Sequence, residues 1–181
     1  VSTATVSHAI NNTRSVSDKT RAAIMQAIKD LDYIPNNQAK HFQSGRSLAI
    51  GMVVPDIANM FFATIIEEVE AVISKQNYTL MIANTKETPE RERNVLQYFS
   101  AGLVDGIILA SSLENYNDLT DIIPVNMPML LFDRRLKNAR CDVLTVMDSK
   151  VISKVVQDFI DEGHTHIACL VSLKHLSTTQ D

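Results

Sequence analysis

The stretch Leu48-Ala49-Ile50-Gly51-Met52-Val53-Val54 decides the fold class of this chain. It is a continuous apolar run of strand length, and such a run predicts a strand that is covered on both faces of a sheet. Further runs of this kind follow at 79–83, 106–110, 129–132, 143–146 and 166–171. Helical patterns separate them, with apolar stripes at 62–73, 95–99 and 151–160 and a short segment at 117–123. Strands alternating with helices predict an α/β, doubly wound parallel sheet.

The residues upstream of this run predict a small all-α structure. Ser2 is a candidate N-cap for a helix over Thr3–Ile10, and Ser17 is a candidate N-cap for a longer one. The apolar residues of the longer helix recur at helical spacing, at Ile24, Ile28 and Leu31. Ile34-Pro35 ends it, because the residue before proline avoids the helical region. The polar segment Gln38–Gln43 is too short to be a stable helix without a partner.

The charge distribution separates these two parts. The 181 residues are 45% apolar and 21% charged, as in soluble globular proteins of one or two domains. Residues 1–46 hold six Lys and Arg against three Asp, whereas the remaining residues hold eleven against eighteen acidic residues. A basic head on an acidic body indicates that the head binds a polyanion. Cys141 and Cys169 lack metal-site spacing, which favours the reducing cytoplasm, and no apolar run is long enough for a membrane span.

The head carries a motif of specific order and spacing. Val1-Ser2-Thr3-Ala4-Thr5-Val6-Ser7-His8-Ala9-Ile10-Asn11 is followed by Val16-Ser17, Thr20-Arg21 and Leu31-Asp32-Tyr33-Ile34-Pro35. This string resembles the DNA-binding head of the lactose-repressor (LacI/GalR) family, and the resemblance extends through the whole chain. It implies a helix-turn-helix head at 1–34, a hinge at 35–46 and an effector-binding core at 47–181, like that of periplasmic sugar-binding proteins. The core would comprise a first lobe at 47–144 and the beginning of a second at 145–181. Val1 is not Met, the first helix of the family's head is missing, and the family normally runs on for well over a hundred residues after Asp181, so the resemblance implies a chain truncated at both ends.

The resemblance implies roles for the head residues on DNA. Thr3, Ala4 and His8 fall at base-contacting positions of the recognition helix, which enters the major groove in this family. A hydroxyl contacts several base edges, an alanine methyl suits thymine, and an imidazole donates to guanine. The phosphate-contacting positions are Ser7, Asn11, Arg14 and Tyr33. The alternative for His8 is an ordinary solvated helix residue.

The same resemblance makes Gln38–Gln43 a hinge helix that pairs with its copy in the minor groove. Phe42 stands where the family has a leucine wedge, so that it would insert between base pairs and bend the duplex. Lys40 and His41 would lie near phosphates. The alternative is a flexible polar linker, which is expected of this segment in the absence of DNA.

In the body, polar and aromatic residues follow the predicted strands. In open α/β sheets, ligands bind outside the carboxyl ends of the strands. The positions that the resemblance implies for effector binding are Asp56, Asn59, Phe61, Phe62, Ser111, Ser112, Asp133 and Arg134. Aromatic faces, carboxylates and a guanidinium together suit a polyol. Since Phe61 and Phe62 are adjacent, we expect one to pack in the core and the other to face the cleft.

The body lacks the marks of common enzyme classes. No G-x-G-x-x-G follows the first strand, and neither a Walker A loop nor a G-x-S-x-G elbow occurs. His164-Thr165-His166 with Cys169 lies at a helix stop and strand entry, so that we expect neither a metal site nor a cofactor.

These observations predict a cytoplasmic transcriptional regulator, a repressor rather than an enzyme. It would bind a near-palindromic double-stranded operator as a homodimer, without membrane contact, and respond to a small effector, a sugar or sugar derivative. A purine effector and a protein co-regulator stay open as alternatives. The alternative functions are a sugar-binding transport protein, which the head disfavours, and a small α/β enzyme.

Overall fold

The computed structural model describes residues 1–33, 45–146, 148–171, 173 and 176–180. The chain divides into two compact units, Val1–Gln43 and Ser44–Asp181. The predicted hinge helix Gln38–Gln43, with Lys40, His41 and Phe42, lies outside the described residues.

The described part of the first unit, residues 1–33, contains the two helices predicted there. Helix α1 spans Thr3–Asn11 and helix α2 spans Asp18–Asp30. The Ser2 hydroxyl accepts a hydrogen bond from the Thr5 N–H at 3.2 Å, and the Ser17 hydroxyl accepts one from the Thr20 N–H at 3.3 Å. Both serines are therefore the N-caps that the sequence indicates.

The second unit is built on a five-stranded parallel sheet. Its strands are β1 (Ala49–Val54), β2 (Thr79–Asn84), β3 (Gly106–Leu109), β4 (Met129–Phe132) and β5 (Asp142–Leu144), in the spatial order β2-β1-β3-β4-β5. Its helices are α3 (Met60–Ile73), α4 (Pro89–Tyr98), α5 (Ser149–Asp161) and the short α6 (Ser177–Gln180). Short helical turns occupy Ser74–Gln76, Phe99–Leu103 and Tyr116–Leu119. The parallel order places the carboxyl ends of the strands at one edge.

Strand β1 is buried on both faces, as its continuous apolar run predicts. On one face, Ala49 and Val53 belong to a core with Leu96 and Phe99. On the other face, Met52 and Val54 belong to a second core, which contains Phe62. Because successive side chains of a strand point to opposite faces, the sheet is covered by α4 on one side and α3 on the other. The doubly wound prediction is confirmed.

Two sequence predictions are wrong in detail. The predicted strand at 166–171 is absent, because residues 164–171 have no regular structure and Leu170 is fully exposed. A strand needs a hydrogen-bonded neighbour, and within the described ranges this segment has none. The predicted helix at 117–123 is a single 3₁₀ turn, Tyr116–Leu119.

The described ranges contain neither of two further features. None of their helices combines the length and apolar composition that a bilayer crossing requires. No group of three or more metal-ligating side chains assembles in those ranges either.

Candidate DNA-contacting helix and effector cleft

One side of α1 is exposed to solvent. Thr3, Ala4 and Ser7 are exposed, whereas Ala9 is buried and His8 is half-buried. The guanidinium of Arg21 donates to the Ala9 carbonyl at 3.0 Å, which connects the end of α1 to α2. The exposed residues share one helical face because Thr3 and Ala4 lie four and three positions before Ser7.

The imidazole of His8 is held by a residue outside the helix. Its Nδ1 lies 2.8 Å from the hydroxyl oxygen of Thr13. The chain turns back toward His8 at Asn12, whose φ of 56° is left-handed, a conformation that asparagine tolerates better than most residues. The contact leaves Nε2 as the ring nitrogen for a further partner. Thr13 was not among the predicted residues, although an asparagine after the helix indicates such a turn.

The predicted phosphate-contacting residues lie at the surface of the first unit where their side chains are described. Arg14 and Tyr33 are exposed, Tyr33 by 51%. Asn11 is the last residue of α1. Lys40 and Phe42 lie outside the described residues.

In the second unit, an ion pair joins the carboxyl ends of β2 and β4. Arg134 follows β4, and its Nη1 and Nη2 donate to Glu87 Oε2 at 2.7 Å and Oε1 at 2.6 Å. Nη1 also lies 3.2 Å from the Ser111 carbonyl, at the end of β3. The Arg134 side chain is only 8% exposed, and that of Glu87 is 34% exposed. A bidentate pair of this geometry is among the strongest side-chain hydrogen-bonding arrangements.

A buried carboxyl group supports the loop after β3. Glu92 of α4 is fully buried and accepts a hydrogen bond from the Ser111 hydroxyl. Its second oxygen accepts from the Ser112 N–H at 2.6 Å. Burial raises the pKa of Glu92, although the bonds from Ser111 and Ser112 and the charge of Arg134 oppose the rise. Ser111 and Ser112 are also buried. For either serine to contact an effector, as predicted, that contact would have to replace its hydrogen bond to Glu92.

Asp133 lies between β4 and Arg134. Its Oδ2 is 3.5 Å from Arg134 Nε, which is buried and makes no hydrogen bond. Burial raises the pKa of Asp133, while the Arg134 charge opposes the rise and Glu87 adds to it. The backbone of Asp133 is left-handed, with a φ of 63°.

The residues after β1 make local contacts at the same edge of the sheet. Asp56 accepts a hydrogen bond from the Ala58 N–H, and Asn59 caps α3 by accepting from the Phe61 N–H, both at 3.0 Å. Phe62 is 4% exposed and packs edge-on against Phe132, with ring centroids 6.0 Å apart. Phe61 is 44% exposed, so that Phe62 is the one of the adjacent pair that belongs to the core.

Comparison with known families matches nearly the whole chain. Residues 1–36 match the model of bacterial regulatory proteins of the lacI family. Residues 47–181 match the model of periplasmic binding proteins and the sugar-binding domain of the LacI family. The chain belongs to the LacI family.

Two curated LacI-family relatives and one solved structure illustrate the similarity. The chain is 33% identical over 172 residues to the HTH-type transcriptional repressor PurR of Vibrio parahaemolyticus, with 94% of this chain and 51% of the relative covered. It is 33% identical over all 181 residues to the ribose operon repressor of Halalkalibacterium halodurans, with 54% of the relative covered. The lac repressor dimer bound to operator and the anti-inducer ONPF has the same fold, with a TM-score of 0.77 and 21% identity over 99% of this chain and 55% of that one. The chain thus spans about half the length of the curated relatives it matches.

Two residues of the polar network around Arg134 were not among the predicted site residues. Glu87 is eight residues before Val95, where the apolar stripe of the helix begins, and no motif marks it. Glu92 carries a signal, because it lies four and seven positions before Leu96 and Phe99 on the buried stripe of α4. A carboxyl group on the apolar stripe of a helix faces the core and needs hydrogen-bond donors there.

Proposed function

We propose that this chain is part of a sequence-specific, DNA-binding transcriptional repressor whose operator affinity is controlled by a small effector. The observation that carries the proposal is the exposed side of α1, where Thr3, Ala4 and Ser7 stand within residues that match the lacI-family model. Hydroxyl and methyl groups on a helix suit direct contact with base edges in a major groove.

His8 is proposed as the residue that discriminates most strongly between bases. Thr13 engages its Nδ1, which leaves Nε2 to face a base. In the tautomer with a proton on Nε2, or in the charged form, this nitrogen donates to a guanine acceptor. Residues proposed for phosphate contact are Ser7, Asn11, Arg14 and Tyr33, with Lys40 and the wedge Phe42 in the hinge.

The second unit is proposed as the first lobe of the effector site, and the whole protein as a homodimer on a near-palindromic operator. The carboxyl edge of its sheet carries the Arg134 network, where ligands of open α/β sheets bind. A sugar or sugar derivative is the proposed effector, and one relative is a ribose operon repressor. The effector controls DNA affinity only if it binds the DNA-competent and the free states with different affinities. A repressor acts where bacterial DNA lies, so we propose a cytoplasmic location.

An operator selected from random duplex DNA tests this function. His8→Ala is expected to lose about 1–3 kcal/mol of discrimination at one base pair per half-site. Arg14→Ala is expected to weaken binding to all sequences alike and to lower the salt slope by about one. Affinities of both variants for the selected operator and its single-base variants, at several salt concentrations, separate the two roles. Equal losses on every sequence would contradict the role of His8, and the absence of any selected operator would contradict the function.

A further inference from the structure

The guanidinium of Arg134 is already engaged by carboxylates of its own lobe. An arginine has five N–H donors, arranged as two edges that can each grip two oxygens of a phosphate or carboxylate. Glu87 takes the edge formed by Nη1 and Nη2, at 2.7 and 2.6 Å. The edge that carries Nε faces Asp133, at 3.5 Å. An anionic group that approached Arg134 would therefore meet a carboxylate at either edge.

The net charge of the side chains around Arg134 also disfavours an anionic ligand. Glu87, Glu92 and Asp133 set three carboxyl groups against the single guanidinium of Arg134 within the hydrogen-bonded and ion-paired network. The cluster is largely shielded from water, so that repulsion between like charges is screened less than at the surface. A ligand phosphate would add negative charge to an already acidic site.

The turn that presents Glu87 is fixed by several hydrogen bonds. Lys86 and Glu87 are both left-handed, with φ of 52° and 53°, a conformation that is unfavourable for residues other than glycine. The Thr85 N–H donates to the Val54 carbonyl at 2.9 Å, and the Thr88 hydroxyl donates to the Lys86 carbonyl at 3.1 Å. Two consecutive residues in this conformation persist only where the surroundings hold them, which argues that the position of Glu87 is built into the cleft.

We propose that the effector bound at this edge is an uncharged polyol, and that Glu87 determines this specificity by occupying Arg134 and excluding phosphorylated ligands. Glu87 and Asp133, with 34% and 21% of their side chains exposed, have oxygens that can accept hydrogen bonds from ligand hydroxyls. The Nε of Arg134 is buried, makes no hydrogen bond and lies 3.5 Å from Asp133 Oδ2, so a ligand hydroxyl reaches it only if Asp133 moves aside. The proposal rests on the proposed effector role of the second unit and refines it to one class of ligand.

The test is a titration of the full 181-residue chain, labelled with ¹⁵N, with D-ribose, ribose 5-phosphate and inorganic phosphate at pH 7. Amide shifts near Ser112 and Arg135 report occupancy of the cleft. We expect the unmodified chain to bind ribose more tightly than ribose 5-phosphate. Glu87→Gln removes the negative charge that is paired with one guanidinium edge and should raise the affinity for both phosphate probes at least about tenfold, as expected for charge-assisted hydrogen bonds. The matched control Glu90→Gln removes an exposed carboxylate of the same segment and should change these affinities less than about twofold.

A second variant keeps the test decisive if Glu87→Gln does not fold. Asp133→Asn removes the negative charge beside the other edge of Arg134, and asparagine tolerates the left-handed backbone at this position. It should also increase phosphate affinity beyond that of Glu90→Gln. The proposal is overturned if neither variant exceeds the control, if the unmodified chain binds ribose 5-phosphate as tightly as ribose, or if ribose produces no shift. Failure of the DNA-binding function would instead appear in the operator selection, which does not depend on these titrations.

Discussion

Replacing Glu92 tests whether a buried carboxyl group holds the cleft loop in place. Glu92→Ala removes the acceptors of the Ser111 hydroxyl and the Ser112 N–H, both of which are buried. Each buried donor left without a partner costs about 1–3 kcal/mol, so that we expect a loss of about 2–6 kcal/mol in the free energy of unfolding for the two donors. Glu92→Gln keeps one acceptor for the Ser112 N–H and presents its amide nitrogen to the Ser111 oxygen. Its expected loss is about 1 kcal/mol.

The pH dependence of the same variants gives a second readout. Burial raises the pKa of Glu92 in the folded state above its ordinary value of 4.5, so the folded protein binds the proton more tightly than the unfolded chain. The stabilising contribution of the protonated form is fully present below pH 4.5 and is lost as the pH rises through the folded pKa. Glutamine does not titrate. The deficit of Glu92→Gln relative to the unmodified chain should therefore shrink as the pH rises through this window.

Urea unfolding followed by circular dichroism, at pH values from about 4.5 to 8, measures both effects. Glu90→Ala is the matched control, because Glu90 is exposed in the first turn of the same helix and should cost less than about 1 kcal/mol. If Glu92→Ala cost no more than Glu90→Ala, the carboxyl group would not be satisfying buried donors. If Glu92→Gln retained the pH slope of the unmodified chain, Glu92 would not be the titrating group.

Two further predictions concern packing and the DNA-contacting helix. Gly51→Ala places a Cβ 2.6 Å from Phe99 Cε2, so we expect the free energy of unfolding, measured in urea, to fall by about 1–3 kcal/mol. Adding Phe99→Leu should restore part of this loss. An unchanged urea midpoint in Gly51→Ala would contradict the close approach. Thr13→Val removes the hydroxyl on His8 Nδ1. The substitution should change the ¹⁵N chemical shifts of the His8 imidazole in the chain without DNA, and it should lower discrimination at the base pair that His8 contacts about two- to tenfold. The control Thr13→Ser keeps the hydroxyl and should retain both the shifts and the discrimination. Identical shifts in Thr13→Val and the unmodified chain would refute the contact.

The strands and helix caps were predictable because they depend on residues that are close together in the sequence. The run at Met129–Phe132 became β4 at its predicted bounds, and Ser2 and Ser17 cap the helices that follow them. The segment at 166–171 has an equally apolar pattern, but a pattern supplies no hydrogen-bonding neighbour, and the segment is not a strand.

The cleft was predictable in part. Its edge of the sheet follows from the α/β pattern, and Ser111, Ser112, Asp133 and Arg134 do meet there. The pair between Glu87 and Arg134 was not predictable, since it joins residues 47 positions apart through the order of the strands. The turn at Lys86 and Glu87 also lacks the glycine or asparagine that normally indicates a left-handed backbone.

Unfavourable backbone conformations concentrate at the edge of the sheet where the effector site is proposed. In the described part of the second unit, the residues other than glycine and asparagine with left-handed φ are Leu48, Lys86, Glu87 and Asp133. Three of the four lie at the carboxyl edge of the sheet, beside Arg134, and each conformation costs about 1–2 kcal/mol. The buried Glu92 adds an unfavourable desolvation at the same place. A region shaped for stability alone would relieve such costs with glycine or with apolar packing. Their concentration at one edge is what the proposed effector site requires, because charged groups held in fixed positions for a ligand are maintained at the expense of stability.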